Sequence, residues 1–440
     1  MERYKDYKDS GIQWIGEIPS HWKVEPFGRH FSYGKGLPIT KADLRQAGVA
    51  VISYGQIHSK LNTGLTLTDE LVRFVDKKYL ETNPNAILSK GDFIFADTSE
   101  DIEGSGNFAF NDYKETIFAG YHTVVAKPKD LSCPKYYACL FSSKSWKRQI
   151  QSLVNGVKVY SINKGHLKKS ILLIPPLAEQ EKIVNYIESK TSKIDAYVAE
   201  KEKEVQLLNE LKEAEIAKVV TQGLNPNVKM KDSGISWIGM IPEHWEVKRV
   251  ASLFTGKVNT NSDFAYQHAF KFYYGTLVPK DEVGDAEEYR ETYVKYQVIQ
   301  KDDILLNGLN LNYDFVSQRV AIAPSDGIIT SAYIVARPRK GTNADYYNFL
   351  FKAMDSKKLF HGMGTGIRLT LSFDELKKQV VVYPPADEQH AIVAYINEKT
   401  AKVESLITDL QAEIDYLKEY KQRLIADCVT GKVNVQNDVI

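Results

Sequence analysis

Nine histidines, three cysteines and a charged fraction of 26% supply raw material for acid–base, nucleophilic or metal chemistry. Their spacing does not assemble any of it. Cys133, Cys139 and Cys428 are an odd number without metal-ligand spacing, which suits a reducing compartment better than a disulfide scaffold. Gly34-Lys35 lacks both the upstream glycine and the following Ser or Thr of a phosphate loop. Gly104-Ser105-Gly106 with Ala109 imitates part of a dinucleotide loop, and Gly362-Met363-Gly364-Thr365-Gly366 imitates a phosphate cradle; both read more simply as turns. The carboxylate runs Glu100-Asp101-Ile102-Glu103 and Asp302-Asp303 read as solvated loops, because a nuclease metal site would add a strand lysine. His21 and His244 stand beside Trp22 and Trp245 in matching contexts, where a structural role is expected. No Asn/Asp-Pro-Pro-Tyr/Phe tetrapeptide of an amino-methyltransferase occurs, since the Pro-Pro pairs follow Ile174 and Tyr383. The expectation is a chain that is not an enzyme in its own right, with no cofactor and no metal of its own.

The elements that hold these residues are ordered by a duplication. Residues 8–24 (KDSGIQWIGEIPSHWKV) and 231–247 (KDSGISWIGMIPEHWEV) agree at 13 of 17 positions without a gap. Pro175-Pro176-Leu177-Ala178-Glu179-Gln180 returns as Pro384-Pro385-Ala386-Asp387-Glu388-Gln389. Ile183, Val184, Tyr186, Ile187, Lys190, Thr191 and Lys193 then return as Ile392, Val393, Tyr395, Ile396, Lys399, Thr400 and Lys402. Internal repetition of this kind is decisive for architecture. Between the repeated motifs lie β-branched and aromatic runs, such as Thr116 to Ala126 and Ile328 to Ala336, which read as strands. Tyr136-Tyr137 with Leu140-Phe141, and Tyr346-Tyr347 with Leu350-Phe351, have helical spacing and are expected to pack on a sheet. Beyond such framework positions the two inserts share little, so similar frames surround dissimilar contents.

After each Pro-Pro comes a long charged stretch. Proline is tolerated in a first helical turn, and the glutamate there meets the positive end of the helix dipole. A heptad frame places Val184, Thr191, Val198, Val205, Lys212 and Val219 at a, with Ile187, Ile194, Lys201, Leu208 and Glu215 at d. In the second copy a is Val393, Thr400, Ile407, Ile414, Lys421 and Cys428, and d is Ile396, Val403, Leu410, Leu417 and Leu424. The frames are in register, and an intramolecular antiparallel pair is expected rather than a homodimeric coiled coil. Lys212 and Lys421 would then be polar register markers.

The fold class expected is α+β: two pseudo-symmetric globular α/β domains separated by two long antiparallel coiled-coil helices. The boundaries read as 1–175, helix 176–223, 224–383, helix 384–431 and a tail at 432–440. At 440 residues the chain has room for two or three domains, and its 43% hydrophobic content excludes a wholly disordered chain. No apolar run approaches the roughly 18 residues needed to cross a bilayer, and no apolar segment follows the N-terminal charges. A cytoplasmic protein without membrane contact is expected. The formal net charge of +1 conceals a division. Residues 1–175 carry 24 Lys+Arg against 18 Asp+Glu and residues 224–383 carry 20 against 18, whereas the helical stretches are acidic. A phosphate-binding surface on the globular parts is compatible with that division.

The doubled Lys-Asp-Ser-Gly-Ile-x-Trp-Ile-Gly-x-Ile-Pro-x-His-Trp motif, the doubled Pro-Pro-x-x-Glu-Gln helix start and Val429-Thr430-Gly431-Lys432-Val433-Asn434-Val435 resemble the specificity (S) subunit of type I restriction-modification enzymes. The resemblance covers essentially the whole chain. One departure is visible: the first helix runs out as Val219-Val220-Thr221-Gln222-Gly223, the second as Cys428-Val429-Thr430-Gly431-Lys432. The resemblance implies two target-recognition domains, each reading one half of a bipartite, asymmetric double-stranded DNA target. It also implies helices that set the spacing and dock two methyltransferase (M) subunits, and restriction (R) subunits that join them. S-adenosylmethionine, ATP and Mg are then expected on the partners. The alternative is a two-domain coiled-coil adaptor for protein or glycan ligands.

Lys158, in Asn155-Gly156-Val157-Lys158, and Arg368, in Gly364-Thr365-Gly366-Ile367-Arg368, occupy corresponding points where a cation could reach a guanine edge or a phosphate. Each reads equally well as an ordinary exposed cation. Tyr54 and Gln56, and Tyr274 and Thr276, lie in Tyr-Gly-x segments that either present polar groups to DNA or hold a buried structural tyrosine. The expected helix seam is Ile187, Ile194, Val198, Val205 and Leu208 against Ile396, Val403, Ile407, Leu410, Ile414, Leu417 and Leu424.

Overall fold

A computed structural model describes residues 2–129, 132–154, 156, 159–280, 286–313 and 318–437. The chain forms two compact units, Met1–Lys201 with Ala412–Ile440, and Glu202–Gln411. Each therefore holds one mixed α/β body and one half of each long helix, Leu177–Gln222 and Ala386–Val429.

Alternation along the strands builds the first body. A four-stranded antiparallel sheet runs in the order Phe31–Lys35, Thr123–Pro128, Phe93–Ala96, Phe108–Phe110. Phe93 and Phe95 join one apolar cluster and Ile94 and Ala96 another, so both sheet faces are covered. Tyr136, Tyr137, Leu140 and Phe141 of helix Pro134–Ser142 are fully buried in the first of these clusters. The second unit repeats the sheet with Phe254–Thr255, Ile334–Pro338, Ile304–Leu306 and Val320–Ile322. Its helix is longer, Ala344–Ser356, because the first unit breaks at Ser143, which leaves the helical region and caps the next helix through Trp146 N–H.

Each strand-like run is two strands rather than one. Ile117–Ala119 and Thr123–Pro128 belong to different sheets, as do Gly327–Ile329 and Ile334–Pro338. The inserts differ in content: the first unit adds a three-stranded sheet of Ile117–Ala119, Val49–Ile52 and Arg73–Val75. The second adds the hairpin Phe270–Tyr273/Thr276–Pro279 and the pair Gln297–Ile299/Gly327–Ile329.

Asp303 is not solvated: it is 1% exposed and accepts two hydrogen bonds from Arg337, Nε at 2.9 Å and Nη2 at 2.7 Å. Burial of a charge is tolerated here because the guanidinium matches both carboxylate oxygens and Gln300 N–H adds a third bond. Asp92 and Lys127, at 4.0 Å, are the looser counterpart in the first unit.

The repeated motifs meet. Glu179 accepts from Trp22 Nε1 at 3.0 Å and lies 2.6 Å from His21 Nε2. Glu388 accepts from Trp245 Nε1 at 2.9 Å and lies 2.5 Å from His244 Nε2. Gln180 and Gln389 turn back to donate to Pro175 and Pro384 carbonyls. The helices begin at Leu177 and Ala386, so the prolines stand just before the first turn rather than in it, and the glutamates serve the His-Trp pair of the opening motif.

Both units contain the two long helices as an antiparallel pair. In the first, Lys421 Nζ donates to both Asp195 oxygens at 2.6 Å, and Tyr197 Oη donates to Glu413 at 3.1 Å. In the second, Lys212 Nζ lies 3.5 Å from Glu404, and Tyr395 Oη donates to Glu215 at 2.8 Å. The seam side chains follow the heptads. Ile187, Val198, Ile396, Leu410, Ile414 and Leu424 are buried, and Ile194, Val205, Leu208, Val403, Ile407 and Leu417 are half-buried.

The unlike helix exits come from the position of the closing glycine, which falls one residue earlier in the second copy. Gly223 and Gly431 both take the left-handed conformation that ends a helix, at φ 77° and 72°. Tyr346 Oη donates to Val220 O at 2.6 Å and Tyr136 Oη donates to Val429 O at 3.2 Å, so each α/β body grips a helix end through its aromatic helix.

Trp245 is fully buried, and removing its acceptor strands the indole N–H. Glu388→Ala is expected to cost about 1–3 kcal/mol, or roughly 2–4 °C of melting temperature per kcal/mol for a unit of this size. Glu388→Gln, which keeps an acceptor, should lose less; calorimetry of the full chain checks both.

Candidate nucleic-acid interface

In the first unit Ser53 caps a short helix, Tyr54–Ile57, and Gln56 Oε1 accepts from Ser53 N–H at 3.2 Å. The Gln56 carbonyl is thus occupied within the fold. Tyr54 is half-buried, edge-on to Tyr121 and His122 at ring separations of 5.6 and 5.4 Å. It lines an open groove of about 700 Å³ with His58, Glu100, Asp101, Glu103 and Val159. His58 is held between Thr98 O, 2.8 Å from Nε2, and Asn107 Nδ2, 3.2 Å from Nδ1. Lys147 Nζ completes the chain by donating to Asn107 Oδ1 at 2.7 Å. Three carboxylates at the groove repel a phosphate; they suit donors on base edges, such as cytosine N4, better. Lys158 lies outside the described residues.

In the second unit Tyr274 and Gly275 form the two-residue turn of the hairpin, with φ 41° and 73°. Two positive φ values give the turn type whose twist suits a hairpin, and glycine at the second position makes it accessible. Thr276 Oγ1 closes the turn by donating to Tyr273 O at 2.7 Å. The turn puts Tyr274 outside: it is 68% exposed, edge-on to Tyr273, which excludes the buried tyrosine alternative at this position. Arg368 is also exposed, in a turn closed by reciprocal backbone bonds between Thr365 and Thr370.

The structure does not bring the nominees of the second unit into one cluster. The Tyr274 turn lines a groove of about 450 Å³ with Lys212, Lys352 and Glu404, against the helices, whereas the Arg368 turn packs on residues 308–311. Behind that contact Arg319, 9% exposed, donates from Nη1 to Asn307 O and Leu309 O at 2.9 and 2.7 Å. Arg319 and its loop carry no signal in the sequence, since nothing in residue type or spacing shows that a cation is spent on the carbonyls of residues 307–310.

Residues 19–207 and 242–416 match the family described as the type I restriction modification DNA specificity domain. The chain belongs to that family. Among its relatives, the type I restriction enzyme MjaVIII specificity subunit of Methanocaldococcus jannaschii is 23% identical, covering 99% of this chain and 98% of its own. The type I restriction enzyme EcoKI specificity subunit of Escherichia coli K12 is 20% identical over 96% of this chain and 91% of its own. A solved chain from a study of complex assembly in a type I R-M system shares the fold at 15% identity. Its TM-score is 0.65, covering 94% of this chain and 99% of that one. Each matched stretch takes in one recognition body and part of the helix that follows, so the duplication read in the sequence is the family's doubled domain.

Lys352 beside the Tyr274 turn has its pKa lowered, first by burial and then by the Lys212 charge. A lysine depressed in the folded state opposes folding while it is protonated in both states, and that penalty fades as pH rises through the folded pKa toward the unfolded value near 10.4. Lys352→Met is therefore expected to be more stable than the parent near neutral pH, with the advantage shrinking toward pH 10. Denaturant titrations of both proteins across that range test the sign.

Proposed function

We propose that the chain is the DNA sequence-recognition subunit of a type I restriction-modification enzyme. Each recognition body reads one half of a bipartite, asymmetric target, and the helices set the half-site spacing and dock the methyltransferase subunits. The observation that carries this reading is a family match over both halves, on two like frames whose inserts differ in strand content. Identical inserts would read a palindrome; unlike ones read an asymmetric pair. Paired DNA readers of other folds show the same logic, with half-sites set by a fixed separation between reading elements.

The chemistry belongs to partners on this reading. Two methyltransferase subunits carry S-adenosylmethionine, and restriction subunits bring ATP and Mg. The chain itself contributes no catalytic group, and among the described residues no cluster of His, Cys, Asp and Glu could hold a metal ion. Among the described residues no helix is long and apolar enough to cross a membrane. A cytoplasmic location follows from the substrate, intracellular DNA.

Reconstitution with a type I methyltransferase partner, followed by sequencing of methylated adenines in a random duplex library, tests the proposal. A split asymmetric motif is expected; methylation without a motif would overturn it. Exchange of residues 25–174 for the matching segment of a relative should change one half-site and leave the other intact. Within that assay, Lys158→Ala and Arg368→Ala separate two modes of contact. A base contact relaxes one position by about 1–3 kcal/mol, whereas a phosphate contact weakens all sequences and flattens the salt slope by about one unit.

A further inference from the structure

Resting on the DNA-reading assignment, we infer that the second unit carries an edge that reads an A·T pair in the major groove. It consists of the Asn310 and Asn312 amides and the Ile367–Arg368 turn. Two segments about 60 residues apart are tied together to make it. Leu311 N–H donates to Leu369 O at 3.1 Å, and Leu371 N–H donates to Gly308 O at 2.8 Å. The approach is close enough to require glycine: a Cβ on Gly308 would stand 2.4 Å from Leu371 O. From behind, the buried Arg319 guanidinium bonds the carbonyls of Asn307, Leu309 and Asn310 at 2.9, 2.7 and 3.3 Å. A buried cation spent on loop carbonyls fixes the loop before any ligand arrives, which is what a reading element needs.

The outward side of this rigid loop is unsatisfied. Asn307 uses its side chain internally, accepting from Leu309 N–H at 3.2 Å. Asn310, at φ 50°, and Asn312 are exposed, and among the described residues neither side-chain amide has a protein partner. Ile367 is 98% exposed at the turn apex, with exposed Arg368 next to it. A single A·T pair offers the complementary set. Adenine N7 and N6 match the acceptor and donor of one asparagine amide, and the thymine methyl is the apolar group of that groove edge. Contact with phosphates alone would call for cations and has no use for two neutral amides and an aliphatic tip.

The test is selection from a random duplex pool by the full chain, assembled with a type I methyltransferase partner, and by Asn310→Ala, Asn310→Asp, Asn312→Ala and Ile367→Ser variants in the same complex, with sequencing of the bound duplexes. The parent is expected to enrich a split motif. At least one asparagine variant should lose preference at one A·T position of one half-site by about 5- to 150-fold, the other half unchanged. Asn310→Asp keeps the shape and the left-handed backbone but removes the donor, and should follow Asn310→Ala. In the parent, 7-deazaadenine at that position should reproduce the asparagine loss and uracil the Ile367→Ser loss. A motif unchanged in an Asn310→Ala/Asn312→Ala double variant overturns the inference and leaves this edge to a protein partner. A parent chain that enriches no sequence overturns the DNA-reading assignment itself.

Discussion

A carboxylate that binds a histidine and a tryptophan at once is the contact on which the rest of the architecture depends. Glu179 with His21 and Trp22, and Glu388 with His244 and Trp245, fasten the opening hairpin of each unit to the first turn of the long helix that leaves it. The tryptophans are fully buried, so the bond is both satisfied and anchored. With its first turn held, a helix has one exit direction from its recognition body. The opening motif and the helix start, which this contact joins, are the longest stretches on which the two halves agree in sequence.

The helices are shared rather than partitioned. Each begins in one unit and ends in the other, where a tyrosine of the aromatic helix grips its last carbonyls. The ion pairs Lys421–Asp195 and Lys212–Glu404 occupy equivalent positions of the duplication, one in each unit. Exposed pairs contribute little to stability. Lysines at seam positions instead penalise a shifted register, because a slip by one heptad would bury the charge against aliphatic side chains. Register is the property a spacer must keep.

The duplication, the helix register and the family were legible because they rest on local pattern: identity without a gap, a seven-residue period, and motif order. What was not legible depends on contacts far apart in sequence. The glutamate of the helix start read as a partner for the helix dipole, and its true partners lie 143 and 157 residues away for the two tryptophans. Asp303 read as solvated because Arg337, 34 residues on, could not be placed beside it. Tyr274 carried an explicit local signal, a Tyr-Gly pair fit for a two-residue hairpin turn, whose consequence is exposure at the tip. Gln56 was nominated for a polar group that the structure uses to cap its own short helix.

The account stands on the claim that the paired helices fix the distance between two independent readers. The direct measurement is the target of a chain lengthened by one heptad in each helix, between Lys201 and Glu202 and between Gln411 and Ala412, where both helices pass from one unit to the other. Seven residues at 1.5 Å add about 10.5 Å, or roughly three base pairs at 3.4 Å each. The prediction is the same two half-sites with about three more base pairs between them. An unchanged spacer, or altered half-site sequences, would contradict it.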